Sequence, residues 1–155
     1  MENEINYPHI LDYLGKMINQ EDPLLKEMEE YARNHHIPVI QRESGRLLEV
    51  LCALSKPEKV LEVGTAIGYS AIQFARMMAM TGIVDTIELD ENRADEADKY
   101  IRRAGLEKII RVLRGDAAEI LQCLEHPYDF IFLDAAKGQY IEFLPYCLRL
   151  LNPGG

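Results

Sequence analysis

Four short apolar runs, at residues 60–63, 83–89, 109–113 and 128–133, each give way to a stretch with helical spacing of apolar residues. That alternation constrains the fold more than any other feature of the chain. Short apolar runs suit strands buried on both faces, and the stretches between them suit helical crossovers joining parallel strands. The reading is an α/β fold, a Rossmann-like, doubly wound and mostly parallel sheet. In the stretch 91–104, Ala94, Ala97, Ile101 and Ala104 share one helix face and Gly105 follows as a C-cap. The chain before residue 56 reads as N-terminal helices. Ile10, Leu14, Met17 and Ile18 mark one amphipathic helix, and Leu24, Leu25, Met28 and Tyr31 mark a second behind an Asp22-Pro23 cap. Leu47, Leu48, Leu51 and Leu54 mark a third.

At 155 residues and 48% hydrophobic content, the chain can bury one core but not two. A single domain over 1–155 is expected, with a helical part at 1–55 and a ligand-binding α/β core at 56–155. Lys and Arg number 17 against 26 Asp and Glu, a formal charge of −9, which argues against a broad polyanion-binding surface. Cys52, Cys123 and Cys147 are odd in number and far apart, so neither a disulfide framework nor a zinc site is indicated. The first residues lack a basic segment followed by an apolar one, and no apolar stretch nears the roughly 18–20 residues a bilayer requires. A cytoplasmic protein with no membrane partner is expected. Asn152-Pro153-Gly154-Gly155 is a turn that ordinarily delivers a chain into another element, so the last strands of the fold are expected beyond Gly155. With the core incomplete in this way, the fourth strand becomes a sheet edge through which the chain can self-associate as a homodimer.

In open α/β sheets the ligand sits at the carboxyl ends of the strands, and here each strand ends at or just before an acid. The four are Glu62, Glu88, Asp116 and Asp134. After the first strand, in VLEVGTAIGYS, Gly64 and Gly68 permit a sharp turn and close ligand approach, while Tyr69 and Ser70 open a helix whose N–H groups can receive an anion. Glu88 stands 20 residues after Gly68, where a dinucleotide fold places the acid that accepts ribose hydroxyls. The middle glycine of G-x-G-x-x-G is replaced by Ala66, so NAD fits poorly. A ligand with an ammonium facing Glu62, a carboxylate on Ser70 and a ribose fits better, and S-adenosylmethionine has all three. Asp116 also reads as the N-cap of a helix beginning at Ala117. Asp134 closes the apolar run FIFL, where a carboxylate needs a partner and suggests metal binding or catalysis, with Lys137 three residues on.

Taken in order, VLEVGTAIGYS, TIELD, RGDAAEIL and FIFLDAAKGQY resemble the class I S-adenosylmethionine-dependent O-methyltransferases of the catechol and caffeoyl-CoA type. GTAIGYSA and DAAKGQY are most similar to the bacterial branch that includes tRNA 5-hydroxyuridine methyltransferase. The resemblance implies that Ile40 lines the cofactor pocket, that Ser70 binds the methionine carboxylate, that Glu88 takes the ribose, and that Asp116 and Ala117 hold the adenine. It also implies that Asp134 lies near the cofactor and ligates a divalent cation such as Mg²⁺, and that Lys137 is the general base or an orienting cation. The implied acceptor is 5-hydroxyuridine in tRNA. A small hydroxylated aromatic or an acyl-CoA is the alternative acceptor, and a cofactor-binding module without catalysis is a third reading.

Overall fold

The computed structural model describes residues 7–18, 22–78, 81–135 and 137–155. Three helices, α1 (Pro8–Met17), α2 (Pro23–Asn34) and α3 (Arg42–Ser55), precede the sheet. The chain then alternates: β1 (Lys59–Val63), α4 (Tyr69–Met77), β2 (Ile83–Glu88), α5 (Glu91–Arg103), β3 (Ile110–Arg114), α6 (Ala117–Cys123) and β4 (Phe130–Leu133). A 3₁₀ turn, Lys137–Gln139, leads into α7 (Tyr140–Leu150). The expected caps at Asp22 and Asp116 are in place, and Asp90 adds a third. Asp22 accepts the N–H groups of Leu24 and Leu25, Asp90 those of Asn92 and Arg93, and Asp116 that of Ala118, each satisfying donors that a helix start leaves open.

The strands run parallel in the order β3-β2-β1-β4. Val63 pairs with Ile87 on one side and with Leu133 on the other, which brings the carboxyl ends of three strands to one edge. The chain builds outward from β1 to β3 and then returns to place β4 on the far side of β1. The crevice for a ligand therefore opens beside β1. On one face Val60, Val84 and Ile110 pack beneath α2 to α5; on the other, Leu61, Val63 and Ile87 pack against α6 and α7. This double covering is why the strands read as continuous apolar runs. The first seven residues of α4 are all buried, because that helix lies between the sheet and α3. Phe74 of α4 meets Phe130 and Phe132 at ring-centroid distances of 5.6 Å. A side chain of that kind, fully buried, contributes about 1.5–3 kcal/mol.

The strand boundaries differ from the sequence reading by one or two residues, with β1 beginning one residue earlier, at Lys59. Strand β2 stops at Glu88, leaving Leu89 exposed, and β3 runs one residue later than 109–113. The fourth strand begins at Phe130 rather than 128. Tyr128 makes an isolated parallel bridge to Leu151, giving its N–H to the Leu150 carbonyl and receiving the N–H of Asn152. The Asp129 carboxylate meanwhile accepts the Glu58 and Lys59 N–H groups. The start of the β4 edge is thus covered by the segment after α7. In the amino half of the sheet, buried Asp85 accepts two bonds from Arg111, at 2.6 and 2.7 Å, and one from the Tyr128 hydroxyl at 2.8 Å. Among the described residues no helix is long and apolar enough to cross a membrane, and the three cysteines are unpaired.

Candidate active site

The site grows out of the turn after β1. The N–H groups of Gly64 and Thr65 both donate to the Ile87 carbonyl, at 3.0 and 3.1 Å, so the chain swings across the end of β2 instead of extending β1. Gly64 has φ +110°, and a Cβ there would lie 2.6 Å from the Asp134 carbonyl oxygen. Ala66 has φ +49°, and Gly68, the N-cap of α4, has φ +83° with room for a Cβ only 3.3 Å from that of Ala97 on α5. Alternate residues of the loop are thus left-handed, and the middle one is alanine. The turn a glycine would make is kept here at the cost of strain on an L-residue. Part of the compensation is visible, since the Ala66 N–H donates to Glu88 Oε2 at 2.7 Å. Glu88 Oε1 accepts the N–H of Asp90 at 2.9 Å. The Glu88 carboxylate is thereby fixed by two backbone donors.

A cleft of about 980 Å³ opens over these strand ends. Of the residues expected to bind cofactor, Ile40, Gly64, Glu88, Asp116, Ala117 and Asp134 line it. Glu62, Gly68, Tyr69 and Ser70 do not; they form the buried layer behind it. The Tyr69 hydroxyl donates to Glu29 Oε1 on α2 at 2.6 Å, tying the start of α4 to the N-terminal helices. The backbone of Lys137 opens the 3₁₀ turn after Asp134, and its side chain lies outside the described residues. Of the wall from Pro38 to Ser44 the sequence reading indicates only Ile40, and it gives no sign of the opposite wall at Tyr140 and Phe143. It also missed Arg93, one turn into α5 beyond the Asp90 cap, a position that a strand-end acid followed by a capped helix points to. Lining carboxylates are Glu88, Asp90, Asp116 and Asp134, against the guanidinium of Arg93.

The sequence profile described as O-methyltransferase matches residues 16–155. This chain belongs to the O-methyltransferase family. Catechol O-methyltransferase of Niastella koreensis is 34% identical over 160 residues, covering 99% of this chain and 72% of that protein. Caffeoyl-CoA O-methyltransferase of Stellaria longipes is 27% identical over 163 residues, covering 100% and 67%. Among solved structures, the O-methyltransferase TomG of Streptomyces achromogenes, which is involved in tomaymycin synthesis and was solved in complex with S-adenosylmethionine, superposes with a TM-score of 0.86 at 28% identity, covering 99% of this chain and 71% of that one. Fold and family together make this chain an S-adenosylmethionine-dependent O-methyltransferase with the Rossmann-like architecture of that group.

Behind the cleft of this O-methyltransferase, Glu62 is completely buried on the α4 side of β1. Its Oε2 accepts the Thr86 hydroxyl at 2.6 Å, and Thr86 is bonded in turn to Thr65 at 2.6 Å. Among the described residues Oε1 has no hydrogen-bond partner. Burial pushes the carboxyl up to about 7; the Ser70 and Thr86 hydroxyls oppose the rise, and the charges of Asp134 and Glu88 add to it. The folded protein therefore keeps a proton that the unfolded chain releases near its ordinary value of 4.5. This contribution to stability is fully present below about pH 4.5, falls as the pH rises to about 7, and changes no further above that. Glu62→Gln is expected to remove the fall. Urea unfolding midpoints of both proteins near pH 5 and near pH 8 measure it. A variant as pH-dependent as the parent would show that other groups carry the effect.

Proposed function

We propose that the cleft binds S-adenosylmethionine and directs its methyl group to the hydroxyl of a small hydroxylated aromatic. The observation that carries this reading is the Glu88 carboxylate, held at the cleft by the Ala66 and Asp90 N–H groups with lone pairs left for ribose hydroxyls. Asp116 and Ala117, at the start of α6, are placed for the adenine end. S-adenosylmethionine supplies a methyl on a sulfonium, open to in-line displacement by an oxygen that is held in line and has given up its proton. Asp134 and the Lys137 that follows it are assigned to orienting the acceptor hydroxyl and taking that proton. With four carboxylates against one guanidinium among the described lining side chains, the cleft favours a cationic donor and an uncharged acceptor over a polyanion.

A divalent cation at Asp134 belongs to the same reading. Among the described residues no group of three or more His, Cys, Asp or Glu side chains forms a metal cluster, and one carboxylate does not meet the six or more oxygens a hard cation takes. A second reading, 5-hydroxyuridine in tRNA as acceptor, rests on the stretches GTAIGYSA and DAAKGQY.

One assay tests donor, acceptor and cation together: transfer of label from S-adenosylmethionine to a catechol panel and to bulk tRNA, with Mg²⁺ and with EDTA. Labelled catechol with unlabelled tRNA is the expected result. Labelling of tRNA alone would replace the first acceptor with the second. S-adenosylmethionine binding without transfer to either would reduce the chain to a binding module.

A further inference from the structure

A second cavity, of about 250 Å³, lies away from the cleft where the end of α1 meets α3 and α4. Its walls are Met17, Ile18, Arg42, Arg46, Glu49, Tyr69 and Gln73, with the Glu49 carboxylate ion-paired to Arg46. Gln73 is the unusual member, a polar side chain nine-tenths buried on a helix that otherwise packs into the core. Its Oε1 sits against Gly45 of α3, where a Cβ would come within 2.7 Å, and its Nε2 lies further off at 3.6 Å. The amide thus turns its oxygen toward α3. Among the described residues Nε2 has no acceptor. A buried amide N–H without a partner costs about 1–3 kcal/mol, so this position is poised to gain from an oxygen ligand.

The neighbouring cations have donors to spare. Arg42 spends Nε and Nη2 on Glu29, and Arg46 spends Nη1 on Glu49. Among the described residues Arg42 Nη1 and Arg46 Nε and Nη2 make no hydrogen bond, and the Nε–Nη2 edge of Arg46 is a fork well shaped for a carboxylate. Ile18 and the largely exposed Met17 supply the cavity's aliphatic side chains. We propose that this cavity is a second ligand site, for a small carboxylic acid with an apolar body. The carboxylate takes the Gln73 amide and an arginine fork, and the body lies against Met17 and Ile18. An occupant would join α3 to α4, the helix whose first residues form the layer behind the cofactor cleft.

The test is thermal unfolding of the full chain with sodium benzoate and sodium propionate, against sodium chloride at equal ionic strength. Inorganic phosphate serves as an oxyanion without an apolar body. The expected result is a saturable rise in midpoint with the acids beyond that with chloride, strongest for benzoate, with phosphate giving less. Gln73→Leu removes the orphan donor at similar volume, and Arg46→Ala removes an exposed cation whose loss the fold tolerates. Each is expected to weaken the acid about tenfold or more, while the shift caused by S-adenosylhomocysteine at the main cleft stays. Absence of a saturable shift with either acid overturns the site, as does a shift that survives both substitutions. A phosphate shift equal to that of benzoate overturns the apolar carboxylate as its ligand.

Discussion

Gly64→Ala is expected to cost about 2–4 kcal/mol of folding stability and to abolish cofactor binding. Two independent penalties meet at this residue. The first is conformational, because φ +110° lies outside what a side chain tolerates. The second is contact: the new methyl would lie 2.6 Å from the Asp134 carbonyl oxygen and 3.0 Å from its carbon, and both are backbone atoms. That backbone is itself anchored, since the Asp134 N–H donates to the Val63 carbonyl at 2.9 Å. Relief therefore requires β1 and β4 to part at the mouth of the cleft. Gly105→Ala isolates the first penalty, because Gly105 has φ +70° but no atom within 4 Å of its Cβ position. It should cost about 1–2 kcal/mol and leave binding intact. Urea unfolding of both variants, with S-adenosylhomocysteine calorimetry, makes the comparison. If Gly64→Ala costs no more than Gly105→Ala, the close approach of the two strand ends has no energetic weight.

Glu88→Ala is expected to weaken S-adenosylhomocysteine binding by about 2–4 kcal/mol, roughly 30- to 1,000-fold. Truncation removes the acceptor assigned to the ribose and strands two backbone donors, the N–H groups of Ala66 and Asp90. The first of these holds a left-handed alanine in the middle of the cofactor loop, so the loop loses its shape together with its ligand contact. Glu88→Gln should cost less, because its amide oxygen can still accept one of the two N–H groups. Asp134→Ala should weaken binding less than Glu88→Ala, since its assigned work is on the acceptor. Calorimetric titration of the three variants orders them. Equal losses for Glu88→Ala and Asp134→Ala would sink the division of roles between donor and acceptor ends.

Much of this architecture was readable before any coordinates. Strands buried on both faces announce themselves as apolar runs, which is how β1 to β4 were found within one or two residues. Asp22 and Asp116 announce helix starts because cap chemistry is local. What the sequence could not convey is which side of a strand end faces the cleft. Glu88 and Asp134 point into it, whereas Glu62, two residues before Gly64, turns its side chain beneath α4. Tyr69 was read as part of the cofactor loop, yet its hydroxyl reaches Glu29, forty residues earlier, a contact that no local pattern encodes. Ala66 shows a further limit. Its presence breaks the dinucleotide glycine signature, but nothing in the residue type signals that it adopts the glycine conformation.

The strand order also bears on how the chain is made. β1 is an inner strand, and one of its two neighbours, β4, is the last of the four to be synthesised. A nascent chain can pair β1 with β2 and β3 early. The other flank of β1 then stays open while α5, β3 and α6 leave the ribosome, on the order of several seconds at about 5–20 residues per second. Throughout that interval an apolar strand with unpaired N–H and C=O groups faces solvent or a chaperone. Slowing translation ahead of residue 130 should therefore lower the soluble yield of this protein, and faster delivery of β4 should raise it.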